Sequence, residues 1–521
     1  MVYKKLISNP PTPQNQQTRP DQIKNNAGGY AFALDCWSKL DQFLLLGTEA
    51  GTYYVDAHNL TAQNLDNVKA CLREDGRRVV RRIVEISKAG RAIKNDPAIL
   101  VLAAAISFGD NGTKAEVKDA ILDVCRTGTH ILHFVSYADS LRKWGRSLRS
   151  AVAFWYMAQD VDKLAYQMVK YQNRDQWTQR DAIRLSHAGS TDPVRAALFD
   201  WALHGPKEGK PYPTIVAAFE NTKGASADET AKRIEQFGLS REMIPTDKLN
   251  AKPVARALAK TMPMTAMIRN LGNLSKADLL TPGDEVFTRT ISQLGNVEAL
   301  KKARVHPVSL LIALKTYQQG HGTFGHNSWP VVPQVADALN EAFYKAFNAV
   351  EPLNKNLLIA VDVSGSMSAN VVGTPNFSAA EAAACMALVT ARTEPNHTLL
   401  AFDTVYHPWT ISAHQRLDDV MRSIPGGGGT NVGVPIRWAI NAGRSFDAIL
   451  IYTDSESWAG TQHVFEVMAE YRRTINPKAK CILLATAANG IGLNAPEDPL
   501  SLTICGFDAS VPDVIRAFLA N

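Results

Sequence analysis

The 521-residue chain has no apolar run long enough to cross a membrane. Its longest, residues 99–108 and 382–391, are about half of the roughly 20 residues that a spanning helix requires. The N-terminus also lacks an apolar signal segment: Lys4 and Lys5 are followed by a polar, Pro/Gln-rich stretch through Arg19, so the expected compartment is the cytoplasm. The six cysteines are far apart, with no Cys-x-x-Cys pair, and read as reduced core residues rather than disulfide or zinc partners. His130 and His133 stand three apart without a third ligand nearby, a pattern of packing rather than metal binding. The glycine run Gly426–Gly429 lacks the Gly-Lys-Ser/Thr ending of a phosphate loop. No Glu-x-x-His stands beside Asp362 or Asp454, and Ser364 lies outside any Gly-x-Ser-x-Gly elbow, so enzymatic activity is not expected.

What is present is unevenly distributed. Residues 1–350 carry 45 Lys+Arg against 34 Asp+Glu, a net of +11, whereas residues 351–521 carry 11 against 16, a net of −5. A basic larger part joined to an acidic smaller part points to a polyanion handled by the former. The texture divides at the same place. Residues 1–20, with Pro10, Pro11, Pro13 and Pro20 among Asn and Gln, predict a flexible N-terminal arm. Residues 21–351 are a succession of amphipathic runs, among them 141–156, 161–171 and 253–271, broken by short Gly, Asn and Pro turns; helices without strands favour an α-solenoid or a large bundle. Beyond Pro352, apolar runs at 357–361, 398–402, 449–452, 481–485 and 502–506 alternate with helical stretches at 379–393 and 432–442. That alternation predicts a parallel α/β sheet over 352–521.

The strand 357–361 empties into Asp362, Ser364 and Ser366, three oxygen-bearing side chains at alternate positions. Thr430 follows the glycine run and Asp454 follows the strand 449–452, both at the tips of turns, and the set fits the rule that open parallel sheets bind ligands outside the carboxyl ends of their strands. Five hard oxygen ligands from three loops suit Mg²⁺. The competing reading makes Asp362 and Asp454 helix caps and Thr430 a turn residue. The order Asp-x-Ser-x-Ser, then Thr, then Asp resembles the metal-ion-dependent adhesion site of von Willebrand factor type A domains, with all five positions filled.

In the basic part, Arg142, Lys143, Arg146 and Arg149 surround Trp144, and Lys163, Lys170, Arg174, Arg180 and Arg184 follow with Tyr171 and Trp177 interleaved. Cations neutralise phosphates and aromatic faces stack on unpaired bases; taken alone, the same pattern also fits a solvated helix face with its aromatics turned inward. The stretches 126–130, 144–149, 170–177 and 184–187, with Asn25–Tyr30 and Arg269–Leu274, resemble the TROVE module of the Ro autoantigen family. Together with the type A domain the resemblance covers nearly the whole chain. It implies an α plus α/β fold in which a ring of HEAT-like helical repeats is closed by a Rossmann-like type A domain. It implies a cytoplasmic, monomeric RNA-binding protein that forms ribonucleoproteins with small noncoding Y RNA and takes the single-stranded ends of misfolded RNA into a central hole. Its role would be RNA quality control or decay, in bacterial relatives alongside the exoribonuclease polynucleotide phosphorylase. Carried over by position, Lys170, Arg174 and His187 are the foremost RNA-binding candidates, followed by Arg142, Lys143 and Arg149. His187 equally fits a satisfied helix-end histidine. Residues 178–181 read Thr-Gln-Arg-Asp where many relatives have Ser-His-x-Asp, which puts the detail of RNA contact in question. The alternative function is a metal-dependent protein-adhesion or scaffold module acting through the type A domain.

Overall fold

The computed structural model of the chain describes residues 11–520 except 49–51, 53, 250, 323–326, 348–351, 353, 372–376, 410, 413 and 509. A short strap begins the described chain: β1 (Gln22–Lys24) pairs antiparallel with β2 (Tyr30–Ala33). Helices then succeed one another from Cys36–Leu46 to Pro333–Lys345, interrupted by the two-residue strands β3 (Asn173–Arg174) and β4 (Trp177–Thr178). The longest helix, Ala57–Ala89, bends at Asp75, whose φ of −153° and ψ of 89° leave the helical region.

The C-terminal part contains β5 (Leu357–Asp362), β6 (His397–Phe402), β7 (Tyr406–His407), β8 (Ala448–Thr453), β9 (Lys480–Ala485), β10 (Ile491–Gly492) and β11 (Ser501–Cys505). Six of them form one sheet in the order β11-β9-β8-β5-β6-β7, parallel except for the edge strand β7. The central strands β5 and β8 are buried along their whole length. That is why they read as continuous apolar runs rather than alternating ones. The expected strands and the helix Ala379–Thr393 are all present, and the fold is the anticipated α-helical array with an α/β domain.

The two ends of the helical array both meet the α/β domain, which closes the array into a ring. At the first end, β2 pairs with β10, the Asn64 amide donates to the Ala488 carbonyl at 3.1 Å and the Gly490 N–H donates to Gln42 Oε1 at 3.0 Å. At the other end, Lys315 Nζ lies 2.6 Å from Glu381 Oε1 and Arg416 Nη1 2.5 Å from Asp337 Oδ1. The apolar core is continuous across this second seam: Leu310, Leu314, Leu339 and Phe343 of the helices share one cluster with Leu357, Leu388 and Leu450 of the α/β domain. The earlier helices form a separate core around Val79, Leu102, Leu132 and Trp155.

Of the expected N-terminal arm, residues 1–10 lie outside the described residues. Residues 11–20 are held against the α/β domain: the Gln14 N–H donates to the Gly460 carbonyl at 2.8 Å, and the Gln14 side chain is buried. Proline-rich composition marks the absence of regular structure but carries no information about tertiary hydrogen bonds, which here tie the segment down.

Candidate functional sites

At the carboxyl end of β5, the Ser364 N–H turns back to donate to Asp362 Oδ1 at 2.9 Å, and Ser364 Oγ lies 3.3 Å from Ser366 Oγ. Ser366 lies near enough to the Asp454 carboxylate to favour its charged form, so the ends of β5 and β8 face one another. The Thr453 hydroxyl donates to Asp362 Oδ2 at 2.6 Å. Thr430 is brought alongside by backbone: the Gly365 N–H donates to the Gly428 carbonyl at 2.9 Å, and the N–H groups of Trp458 and Ala459 donate to the Thr430 carbonyl at 3.0 Å. The approach of the glycine run is so close that a Cβ at Gly427 would stand 1.6 Å from the Val363 carbonyl oxygen. Asp362, Ser364, Ser366, Thr430 and Asp454 are all buried.

Burial and then the neighbouring Asp454 charge push the Asp362 carboxyl up to about 7. Burial also raises Asp454. Two carboxylates with the Ser364 and Ser366 hydroxyls at the same loop, and Thr430 buried alongside, are a donor set suited to a hard divalent ion, which would offset the desolvation and the repulsion. Among the described residues no three His, Cys, Asp or Glu side chains converge. Hydroxyls such as those of Ser366 and Thr430 would have to complete the shell of any cation held here.

On the helical part, Lys170 ends the helix Val161–Lys170, with its ammonium 5.1 Å from the Tyr171 ring centroid and 5.7 Å from that of Tyr166. The hairpin β3–β4 follows, turning through Asp175 and Gln176 at φ of 49° and 66°. This geometry is typical of a tight two-residue hairpin, and it leaves Arg174 exposed. Asp175 bonds to the His133 ring, which fixes the hairpin on the helix Gly128–Arg142. His187 ends the helix Gln179–Ser186 in the left-handed conformation, its N–H donating to the Ile183 carbonyl, with its side chain exposed. The backbone is the part of His187 that serves the helix end, and the imidazole remains at the surface.

The secondary candidates are more dispersed. Arg142 and Lys143 close one helix and Arg149 belongs to the next, Arg146–Met157, so the run 141–156 is two helices rather than one. Lys143, at φ of 65°, breaks the helical backbone. Arg142 donates to the Ser107 carbonyl at 2.6 Å and Lys143 pairs with Asp139 at 3.0 Å, while Arg149 is exposed. Trp144 meets Trp177 with ring centroids 5.8 Å apart, which joins this corner to the hairpin. Arg180 and Arg184 extend the exposed basic surface. At the departure from the Ser-His-x-Asp run, Thr178 and Asp181 form a reciprocal cap. Gln179 points inward, accepting from the Tyr156 hydroxyl at 2.5 Å and donating to the Tyr171 carbonyl at 2.7 Å. That substitution thus lies in the packing beneath the face.

The strap's partners are not written in the sequence. Asn25 Nδ2 donates to the Ser457 carbonyl at 2.8 Å, and Asn26 and Ala27 donate to Glu456, two residues beyond Asp454. The signal available was the turn-forming run Asn25-Asn26-Ala27-Gly28-Gly29, which names a turn but not its partner.

A helical ring closed by an α/β domain with an Asp-x-Ser-x-Ser cradle defines a class of protein, and comparison with known proteins agrees. The TROVE domain model matches residues 23–239 and 209–318, and the Ro60 vWA domain model matches residues 356–519. The chain is 36% identical over 514 residues to the RNA-binding protein RO60 of Deinococcus radiodurans, covering 97% of each chain. It is 30% identical over 595 residues to the RNA-binding protein RO60 of Caenorhabditis elegans, covering 98% of this chain and 91% of that one. The crystal structure of the Deinococcus radiodurans Ro protein superposes with a TM-score of 0.70 at 35% identity, covering 93% of this chain and 99% of that chain. The chain belongs to the Ro60 family.

Proposed function

We propose that the chain binds RNA through the basic face centred on Lys170, Arg174 and His187. Its ligands on this reading are small noncoding Y RNA on the outside of the ring and the single-stranded ends of misfolded RNA, in noncoding RNA quality control or decay. The observation that carries the proposal is the hairpin β3–β4, which lifts Arg174 between the end of one helix and the start of the next, with Arg180, Arg184 and His187 exposed beside it. An array of cations with half-buried aromatics between them recognises phosphates and unstacked bases. Both curated relatives carry RNA-binding in their names. A monomeric, cytoplasmic protein and cooperation with polynucleotide phosphorylase belong to the same proposal; no described helix is long and apolar enough to cross a membrane. Cross-linking in cells followed by sequencing of the attached RNA tests it. Enrichment of a small structured noncoding RNA is expected, and a recovery no greater than from a non-binding control would reject it.

The cradle of Asp362, Ser364, Ser366, Thr430 and Asp454 is proposed to hold one divalent cation, Mg²⁺ by donor chemistry. A second reading, protein adhesion, is favoured by the exposed apolar side chains Val405, Tyr406 and Trp458. Trp458 borders the glycine run of the cradle at Gly429, and Val405 and Tyr406 follow Asp403, whose carboxylate accepts from the Gly428 N–H at 3.0 Å. A protein that co-purifies and is released by chelator supports this reading, whereas nucleic-acid absorbance unaffected by chelator supports RNA binding alone.

A further inference from the structure

The loop that leaves β8 has two occupied faces. On one, Asp454 enters the cradle, and its Oδ1 accepts from the Glu456 N–H at 3.0 Å. On the other, the Glu456 carboxylate accepts from the Asn26 N–H at 2.9 Å, the Asn26 side-chain amide at 2.7 Å and the Ala27 N–H at 3.2 Å. Asn489 joins the two faces, donating to the Asp454 carbonyl at 2.7 Å and to Glu456 Oε1 at 3.1 Å. There is little slack. A Cβ at Gly29 would stand 2.0 Å from the Ser457 carbonyl oxygen. Ser455 between the two acids is buried at φ of 66°, a left-handed conformation that a non-glycine residue keeps only where its surroundings hold it. The strap bonded to Glu456 runs through β2 into Asp35, which caps the helix Cys36–Leu46, the first helix of the ring.

We infer that a divalent cation in the cradle and closure of the ring by the N-terminal strap are coupled through Glu456. A cation that fixes the Asp454 carboxylate fixes the Glu456 N–H bonded to it, and so presents the Glu456 carboxylate to Asn26 and Ala27 in the geometry seen here. Coupling between two sites is reciprocal: a strap seated on Glu456 favours the Asp454 position that the cation requires, and loss of the strap weakens the cation. The cradle thereby becomes a regulator of ring closure at the end of the helical array opposite the seam that shares a continuous apolar core. The inference rests on the metal reading of the cradle.

Amide hydrogen exchange of the full-length chain, with MgCl₂ and with EDTA, reads the strap directly, and Mg²⁺-dependent melting reads the cradle. With Mg²⁺, exchange across residues 22–33 is expected to slow by about fivefold or more, and Asn26→Ala should raise the Mg²⁺ concentration at the melting midpoint by a similar factor. Asp362→Ala should remove both responses. Strap exchange identical with and without Mg²⁺, in a chain whose melting temperature Mg²⁺ does raise, overturns the coupling and leaves the metal site standing. A wild-type melting temperature indifferent to Mg²⁺ rejects the metal site, and the coupling falls with it. The exchange comparison needs only the wild-type chain, so it decides the matter even if Asn26→Ala fails to fold.

Discussion

Gly427 shows how a single residue sets the cradle. Its missing side chain lets the glycine run pass over the end of β5, where a Cβ would lie 1.6 Å from a backbone oxygen. Such an overlap cannot be relieved by turning a flexible side chain. Gly427→Ala should therefore force the exposed run to shift, at a cost of about 1–3 kcal/mol by analogy with other small-to-large changes, and abolish the Mg²⁺-induced rise in melting temperature by moving Thr430 away from Asp362. Thermal denaturation with and without Mg²⁺ checks both effects; an unchanged melting curve and Mg²⁺ response would show that Thr430 is not positioned by this run. Asp362, Ser364 and Ser366 read together in the sequence because they follow one apolar strand at alternate positions, whereas Thr430 and Asp454, 68 and 92 residues beyond Asp362, are joined to them only by their order and the family resemblance. Glu456 was not, although it is fully buried. Its partners Asn26 and Ala27 are more than 400 residues away in sequence, and nothing in the composition of either segment announces the pairing.

Helices and strands differed in how clearly they could be read. The buried strands β5, β8 and β9 declare themselves as apolar runs. The hairpin β3–β4 has two residues per strand and a turn built on Asp175 and Gln176 rather than glycine, so neither period nor turn chemistry marks it. The helix Pro307–Gln318 carries a prediction at this scale. It is capped by His306, whose Nδ1 accepts from the Val308 N–H at 3.1 Å, an arrangement that needs the neutral ring. Burial drives the His306 imidazole down to about 4 from its ordinary 6.5. The unfolded chain therefore binds a proton between those values that the folded chain refuses. Stability is complete above pH 6.5 and declines as pH falls toward 4, by about 3 kcal/mol for this residue at most. His306→Asn keeps a side-chain acceptor at the cap and should flatten that part of the profile, leaving the share of His130, which burial also holds low, at about 3. Denaturant unfolding at a series of pH values checks this; equal slopes for the two chains would place His306 in contact with water.

Across the whole molecule the boundary between helical array and type A domain is a change of chain texture, not a gap in packing. Phe343 lies fully buried in a core that continues into β5 and the helix Ala379–Thr393. Phe343→Ala should cost about 3–5 kcal/mol and lower the unfolding of the late helices and the type A domain together, as hydrogen exchange would show; loss confined to the helices would mean two separable units. The charge division visible in the sequence also belongs to this scale, and it supports the proposal that RNA meets the helical part. The most direct test is Y RNA affinity as a function of salt for the wild-type chain and for Lys170→Ala combined with Arg174→Ala. Each neutralised phosphate contributes about 0.7 to 0.9 to the negative log–log slope, so the double variant should bind more weakly and with a slope shallower by roughly one to two. His187→Ser, which removes a hydrogen-bonding and stacking ring rather than a permanent cation, should weaken binding with little change in slope. A folded double variant that keeps wild-type affinity and slope would contradict the assignment of RNA binding to this face.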